Sequence, residues 1–202
     1  MKTLYIMGCG GHARSIADSY IQLHHETKIL FIDANARDGE QVLGFDLQRK
    51  IDAKQLAEGF VFIGIGDNTQ RSITFEKHQF ANLISIISSS AYLSPSATIG
   101  RGCFVGNFCH IGPEAAVGDN TIINTGSMIE HGVKVGKHSH IAPNVAISGN
   151  TIIGDHVFVG VGASIIDKVS ICDHVTVGAG STVTKDISIP GTYVGTPIRK
   201  IK

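Results

Sequence analysis

The sequence predicts an α/β unit followed by an all-β parallel β-helix, together filling a chain of 202 residues. Two observations predict it. From Ile99 to Ile189 every sixth residue is isoleucine or valine, without exception or insertion. A period of six is the signature of a parallel β-helix built from hexapeptide rungs. Ahead of it, residues 1 to about 85 alternate apolar runs with segments of helical spacing. That alternation predicts a small parallel sheet with helices on its faces.

Composition narrows the class. Basic and acidic residues balance at 17 each, which argues against a nucleic-acid surface or a polybasic membrane patch. No apolar run is long enough to span a bilayer, and the opening apolar run is too short for a signal peptide. Cytoplasm is the expected location, with neither nucleic acid nor membrane as partner. The 24 glycines and the lack of tryptophan suit a turn-dense β architecture. The four cysteines lack metal-ligand spacing, so no metal is expected. Cys103 and Cys109 read as reduced thiols in small core slots.

In the first part, Leu4 to Met7 is an apolar run ending at Gly8. Ile16, Ala17, Tyr20 and Ile21 give residues 13–23 helical spacing. Residues 28–33 and 60–65 read as further strands. Gly66-Asp67-Asn68 then leads into a helix over about 69–80. The serine run at 88–90 marks a linker, so the expected division is 1–88 and 89–202, the latter with a C-terminal tail.

Within the repeat, the residue two before each aliphatic is usually small, as at Cys103, Cys109, Thr121 and Ser139. Both positions point inward, because side chains alternate along a strand. Glycine follows the aliphatic at 100, 106, 112, 118, 136, 154, 160 and 178. It is expected to supply a turn conformation that other residues resist.

That glycine slot lapses at Asn124, Glu130, Ala142 and Ser148, beside His131, His138 and His140. Local exceptions in a consistent pattern mark functional positions. His138 alone reads as decoration of an outer face; Asn124, Glu130, His131 and His140 together read as a site. Three hexapeptides make a coil of about 18 residues. Gly149 then lies one coil from His131, with Asp167 and Lys185 further along the column. At roughly 4.8 Å per coil, Lys185 lies about 14 Å from His131, close to the length of a pantetheine arm. A second column, Pro143, Val161 and Ala179, is expected to form the opposing wall of a groove on a neighbouring subunit.

Gly8-Cys9-Gly10-Gly11-His12-Ala13 fits G-x-G-x-x-(G/A) between strand and helix, and Asp33 follows at the end of the next strand. The pattern gives a ligand close approach to backbone, an anion a helix N-terminus, and a hydroxyl an acidic acceptor. A dinucleotide, a purely structural turn and a sugar-linked anion all satisfy it; His12 favours the last.

These glycine-loop residues, with Phe31-Ile32-Asp33, Ile63-Gly64-Ile65-Gly66-Asp67-Asn68, Ile123-Asn124-Thr125, Ile129-Glu130-His131 and Val194-Gly195-Thr196-Pro197-Ile198-Arg199, span essentially the whole chain. Together they resemble the sialic acid O-acetyltransferase and bacillosamine-pathway N-acetyltransferase family. The resemblance implies a Rossmann-like sugar-nucleotide domain, a left-handed β-helix, and a homotrimer binding acetyl-CoA between adjacent β-helices. By position, His131 matches the general base, with Glu130 and Asn124 beside it in the catalytic set. His140 and Gly149 match groups around the thioester. Val161 and Ala179 match CoA contacts, and Lys185 extends that set along the column. Gly10, Gly11, His12, Asp33, Ala34 and Gly66 match the sugar-nucleotide site. The N-acetylating branch carries an acid directly after the base, where this chain has Gly132. In that respect it resembles the sialic acid branch, whereas His12 resembles the amino-sugar branch. The expected activity is acetyl transfer from acetyl-CoA to a nucleotide-linked 4-amino sugar. O-acetylation of a sialic acid is the alternative. A non-catalytic scaffold trimer and a metal-dependent hydrolase with histidines meeting across subunits complete the readings.

Overall fold

The computed structural model describes residues 2–202. Strands β1 (Leu4–Met7), β2 (Ile29–Ile32), β3 (Gln41–Val42), β4 (Phe45–Gln48) and β5 (Phe60–Ile63) form one sheet in the order β3-β4-β2-β1-β5. All neighbours are parallel except the β3–β4 hairpin. Strands β1 and β2 read LYIM and ILFI, as strands covered on both faces must. Helix α1 (Gly11–Leu23) buries Ala13, Ile16, Ala17 and Tyr20 against one face. Helices α2 (Ala53–Ala57) and α3 (Asn68–His78) cover the other through Leu56 and Phe75. The β3–β4 hairpin, unforeseen in the sequence, turns on Leu43 and Gly44, both at positive φ, the backbone that a two-residue hairpin loop requires. The loops after β1 and β5 lie on either side of the point where strand order reverses, the place where open parallel sheets bind ligands.

From Ile86 onward the chain winds into coils whose strands pair parallel with partners 18 residues away, such as Ile111 with Ile129 and Ile123 with Ile141. Three faces result. One carries Ile86–Ile87, Phe104–Val105, Ile122–Ile123, His140–Ile141 and Phe158–Val159; the second runs from Tyr92–Leu93 to Thr182–Val183; the third runs from Thr98–Ile99 to Ser170–Ile171. Past Val177 the register tightens, and Gly191–Val194 closes the first face with a hairpin to Arg199–Lys200. The periodic aliphatics from Val105 to Val183 fill the axis as one buried cluster; at the end the tightened register puts Ile187 in the core and leaves Ile189 exposed. The small slot does more than save space. Thr121, Ser127, Ser139 and Thr151 each donate a hydroxyl to a carbonyl 15 residues on, at 2.8–3.0 Å. The free thiols of Cys103 and Cys109 do the same at 3.1 and 3.0 Å.

The glycine after each aliphatic has a different reason from the one expected. None of these residues has positive φ; that conformation falls two positions later, at Gly102, Phe108, Glu114, Asn120, Gly126, Gly132, His138 and onward in steps of six to Gly180. The glycine itself is demanded by stacking. A Cβ at Gly106 or Gly112 would stand 2.9 Å from the backbone of the next coil, and one at Gly160 only 2.5 Å.

The first face docks the two units. Its outward side chains Ile86, Phe104 and Ile122 share a buried core with α1 and the sheet. Burying such a side chain contributes about 1.5–3 kcal/mol, so the loops of the α/β unit are fixed against particular coils.

Candidate active site

His131 stands on the edge that follows the second face. The Asn150 N–H donates to the His131 carbonyl at 2.9 Å and the Lys168 N–H to the Gly149 carbonyl at 3.0 Å, so residues 131, 149 and 167 stack in one column. The His131 ring lies over Gly149, where a Cβ would come within 2.5 Å of its Cε1 and Nε2. The Gly149 N–H meets no acceptor among the described residues. The His131 side chain is 62% exposed, and its Nδ1 is 3.8 Å from Glu130 Oε2. Gly132 occupies the left-handed slot at φ +66, and a Cβ there would meet Asn150 Oδ1 at 2.5 Å. Backbone and packing together favour glycine at that position over an acid.

Asn124 opens the edge that follows the first face, and His140 lies on that face beside it. The Thr125 N–H donates to Asn124 Oδ1 at 2.8 Å, which turns the amide nitrogen toward His140 Nε2 at 3.2 Å. That nitrogen is therefore an acceptor, and the imidazole proton sits on Nδ1. Burial, then the charge of Arg71, pushes His140 down to about 4, opposed by the Gly66 carbonyl. His12 reaches the same place from the first turn of α1. It meets Phe104 edge-on at 5.3 Å and lies 6.3 Å from His140. Burial, then His140 and Arg71, lowers it to about 3. Its Nε2 is sealed from solvent without a partner, and such an atom has a claim on a ligand.

Gly10, Gly11, His12, Asp33 and Gly66 line one cavity of about 310 Å³ with Gly8, Cys9, Gly64 and Ile65. Ala34 lies just outside it, in the turn closed by the Ala36 N–H to the Asp33 carbonyl. Asp33 accepts from the Asn35 N–H at 3.0 Å and from the Cys9 thiol at 3.3 Å. Burial, then the hydrogen bond to Asp33 and its charge, raises that thiol. Pro143, Val161 and Ala179 stack through the Gly162 N–H to the Pro143 carbonyl and the Gly180 N–H to the Val161 carbonyl. Lys185 lines a separate cleft with Tyr193, Arg199 and Lys200. The predicted residues thus fall into groups around His131, around His140 with the glycine loop, and along the two columns. Among the described residues, no cluster of three His, Cys, Asp or Glu side chains suits a metal ion.

His138 does not decorate an outer face. It is 5% exposed, because α3 covers its corner. Its Nδ1 accepts from Asn120 Nδ2 at 2.8 Å, and its Nε2 is 3.5 Å from Glu76 Oε1. Phe75 meets it edge-on at 5.3 Å, and His156 lies 4.9 Å above it. Sequence pattern alone also gives no sign of the roles of Arg71 and of the Cys9–Asp33 contact. Arg71 follows Gly66-Asp67-Asn68 at helical spacing, and that motif was its only signal.

The PglD N-terminal domain profile matches residues 3–78, and the bacterial transferase hexapeptide (six repeats) profile matches 96–130, 114–149 and 150–185. PerB from Caulobacter crescentus, solved with CoA and GDP-perosamine, is 30% identical with a TM-score of 0.86, covering 100% of this chain and 98% of its own. The chain belongs to the PglD-like sugar acetyltransferase family. The acetyltransferase domain of PglB from Neisseria gonorrhoeae FA1090 matches this PglD-like chain at a TM-score of 0.91 and 26% identity, covering 100% of both. Its β-helix is the left-handed hexapeptide type. A curated relative, uncharacterized protein L142 of Acanthamoeba polyphaga mimivirus, is 33% identical over 125 residues, 59% of this chain. The match spans only 24% of that relative's length.

Proposed function

We propose that this chain transfers the acetyl group of acetyl-CoA directly to the amine of a nucleotide-linked 4-amino sugar, with His131 as general base. The observation that carries the reading is the His131 ring lying over Gly149 at the head of a column that continues to Asp167. PerB, 30% identical over the whole chain, was solved with CoA and GDP-perosamine, which supports a nucleotide-linked sugar as acceptor and CoA as the carrier.

The steps follow from the side chains. The acceptor amine attacks the thioester carbonyl while an imidazole nitrogen of His131 takes its proton. The free Gly149 N–H is suited to the oxyanion of the tetrahedral intermediate. Collapse expels the CoA thiolate, which takes the proton back from His131. Glu130, 3.8 Å from Nδ1, biases the ring once it is charged. The glycine loop, His12 and Asp33 would hold the sugar nucleotide, and Val161, Ala179 and Lys185 the CoA arm. His131 lies on the edge after the second face and His140 on the first face of one chain, so the reading calls for a homotrimer in which one copy's His131 edge faces its neighbour's Asn124–His140 corner.

O-acetylation of a sialic acid is the second reading, favoured by Gly132 in place of an acid after the base. Thiol release from acetyl-CoA decides between them, measured against UDP-4-amino sugars, other nucleotide amino sugars and sialic acids. Release with a nucleotide amino sugar and none with sialic acids is the expected result; the reverse pattern replaces N- by O-acetylation. No release with any acceptor refutes both.

A further inference from the structure

We infer that Arg71 is a positioning residue for the transfer reaction, fixing the nucleotide-binding loop at a set distance from the Asn124–His140 corner. The inference rests on the acetyltransferase reading above. Arg71 is 1% exposed, and no carboxylate accepts from its guanidinium. Its Nη1 donates to the carbonyls of Gly66 at 2.9 Å and Ile65 at 3.2 Å. Its Nη2 donates to Asn68 Oδ1 at 2.7 Å and to the carbonyls of His138 at 2.9 Å and Ser139 at 3.1 Å. Its Nε donates to the Asn120 carbonyl at 2.9 Å. Three of these acceptors belong to the α/β unit and three to the coils.

A buried charge without a counter-ion is expensive. Here six neutral acceptors offset that cost. Burial lowers Arg71 only to about 10, with Asp67 opposing, so it is cationic at neutral pH. Two further bonds rivet the same junction, from Asn68 Nδ2 to the Val157 carbonyl at 3.2 Å and from Asn120 Nδ2 to the Arg71 carbonyl at 3.3 Å.

What the fork grips is informative. Gly66 lines the glycine-loop cavity, and Ser139 directly precedes His140. One rigid planar group therefore spans the floor of the nucleotide cavity and the coil that carries His140. Lysine offers three donors from one nitrogen and cannot replace a planar fork that reaches six acceptors. A shift of about 1 Å between sugar and reacting groups costs on the order of a hundredfold in rate, so this link sets how well a bound sugar meets the acetyl group.

Steady-state thiol release by the full chain tests it, with acceptor and acetyl-CoA varied separately. Arg71→Lys is expected to raise the acceptor KM about tenfold or more and to lower kcat, leaving the acetyl-CoA KM within about twofold. Asn68→Ala, which keeps the arginine, is expected to show the same split at smaller size and covers the case in which Arg71→Lys fails to fold. A lower kcat with both KM values unchanged, the mark of a merely smaller folded fraction, overturns the inference. So does an unchanged acceptor KM in both variants. If the wild-type chain releases no thiol, the acetyltransferase reading fails instead. Calorimetry with UDP and with CoA then still reads the link: weaker UDP binding alone in Arg71→Lys supports it, and equal UDP binding overturns it.

Discussion

His131 and His140 are nine positions apart in the sequence, and they stand in opposite surroundings. His131 lies open on an edge, with a glycine backbone beneath it and a half-exposed glutamate at 3.8 Å. His140 is enclosed with His12 between Phe104, Phe158 and Asn124, near a buried cation. Burial fixes what each can do. His12 and His140, held down to about 3 and about 4, stay neutral at neutral pH, His140 bonded to Asn124 and His12 with its Nε2 unpartnered. His131 is the member of the three with room for an acceptor and for proton exchange. One residue type is thus sealed within the fold in one place and open to reactants in the other, and solvent access makes the difference.

The comparison breaks most sharply at His131. His131→Ala is expected to lower kcat by about a hundredfold or more while CoA binding by calorimetry persists; near-wild-type turnover would move the base elsewhere. Gly149→Ala comes next. Its Cβ would occupy space 2.5 Å from the ring, so the imidazole must move, and a loss of roughly tenfold or more in kcat is expected with little change in Tm.

The enclosed pair predicts a stability effect instead. In the unfolded chain histidine protonates near pH 6.5, whereas His140 and His12 in the fold resist down to about 4 and about 3. Below pH 6.5 the unfolded state therefore binds more protons, and stability falls as pH drops through that window. His138 and His156, lowered mainly by burial, add the same sign. A fall in Tm of roughly 5–10 °C between pH 7 and pH 5 is expected. His12→Gln should show a shallower decline, and an identical slope would argue against this account. The smallest effect is reserved for Glu130→Gln. At 3.8 Å and half exposed, that carboxylate should change kcat by only about twofold to fivefold; a hundredfold loss would make it a partner of His131 in the chemistry.

Much of this was legible in the sequence because the repeat is a ruler. An unbroken period of six sets the coil at 18 residues, so stacking of His131 on Gly149 and of Val161 on Ala179 follows by counting. The glycine rule was read with the wrong cause, since a single sequence cannot separate a glycine needed for φ from one needed for close stacking. His138 and Arg71 escaped for a related reason. Both are polar, and both are buried only because two units dock, a contact between residues 67 apart that no local period encodes. Arg71 sits among helix residues whose polarity suggests a solvated face.

The constant pitch has one more consequence. Because each coil closes on itself through cross-coil hydroxyl and thiol bonds and repeats after 18 residues, spacing along a column such as His131, Gly149 and Asp167 is quantised. It changes only in whole steps of about 4.8 Å. Excising residues 150–167 would shorten each column by one such step and keep the remaining rungs in register, so under the proposed reading the length of acyl carrier accommodated is a digital property of the coil count.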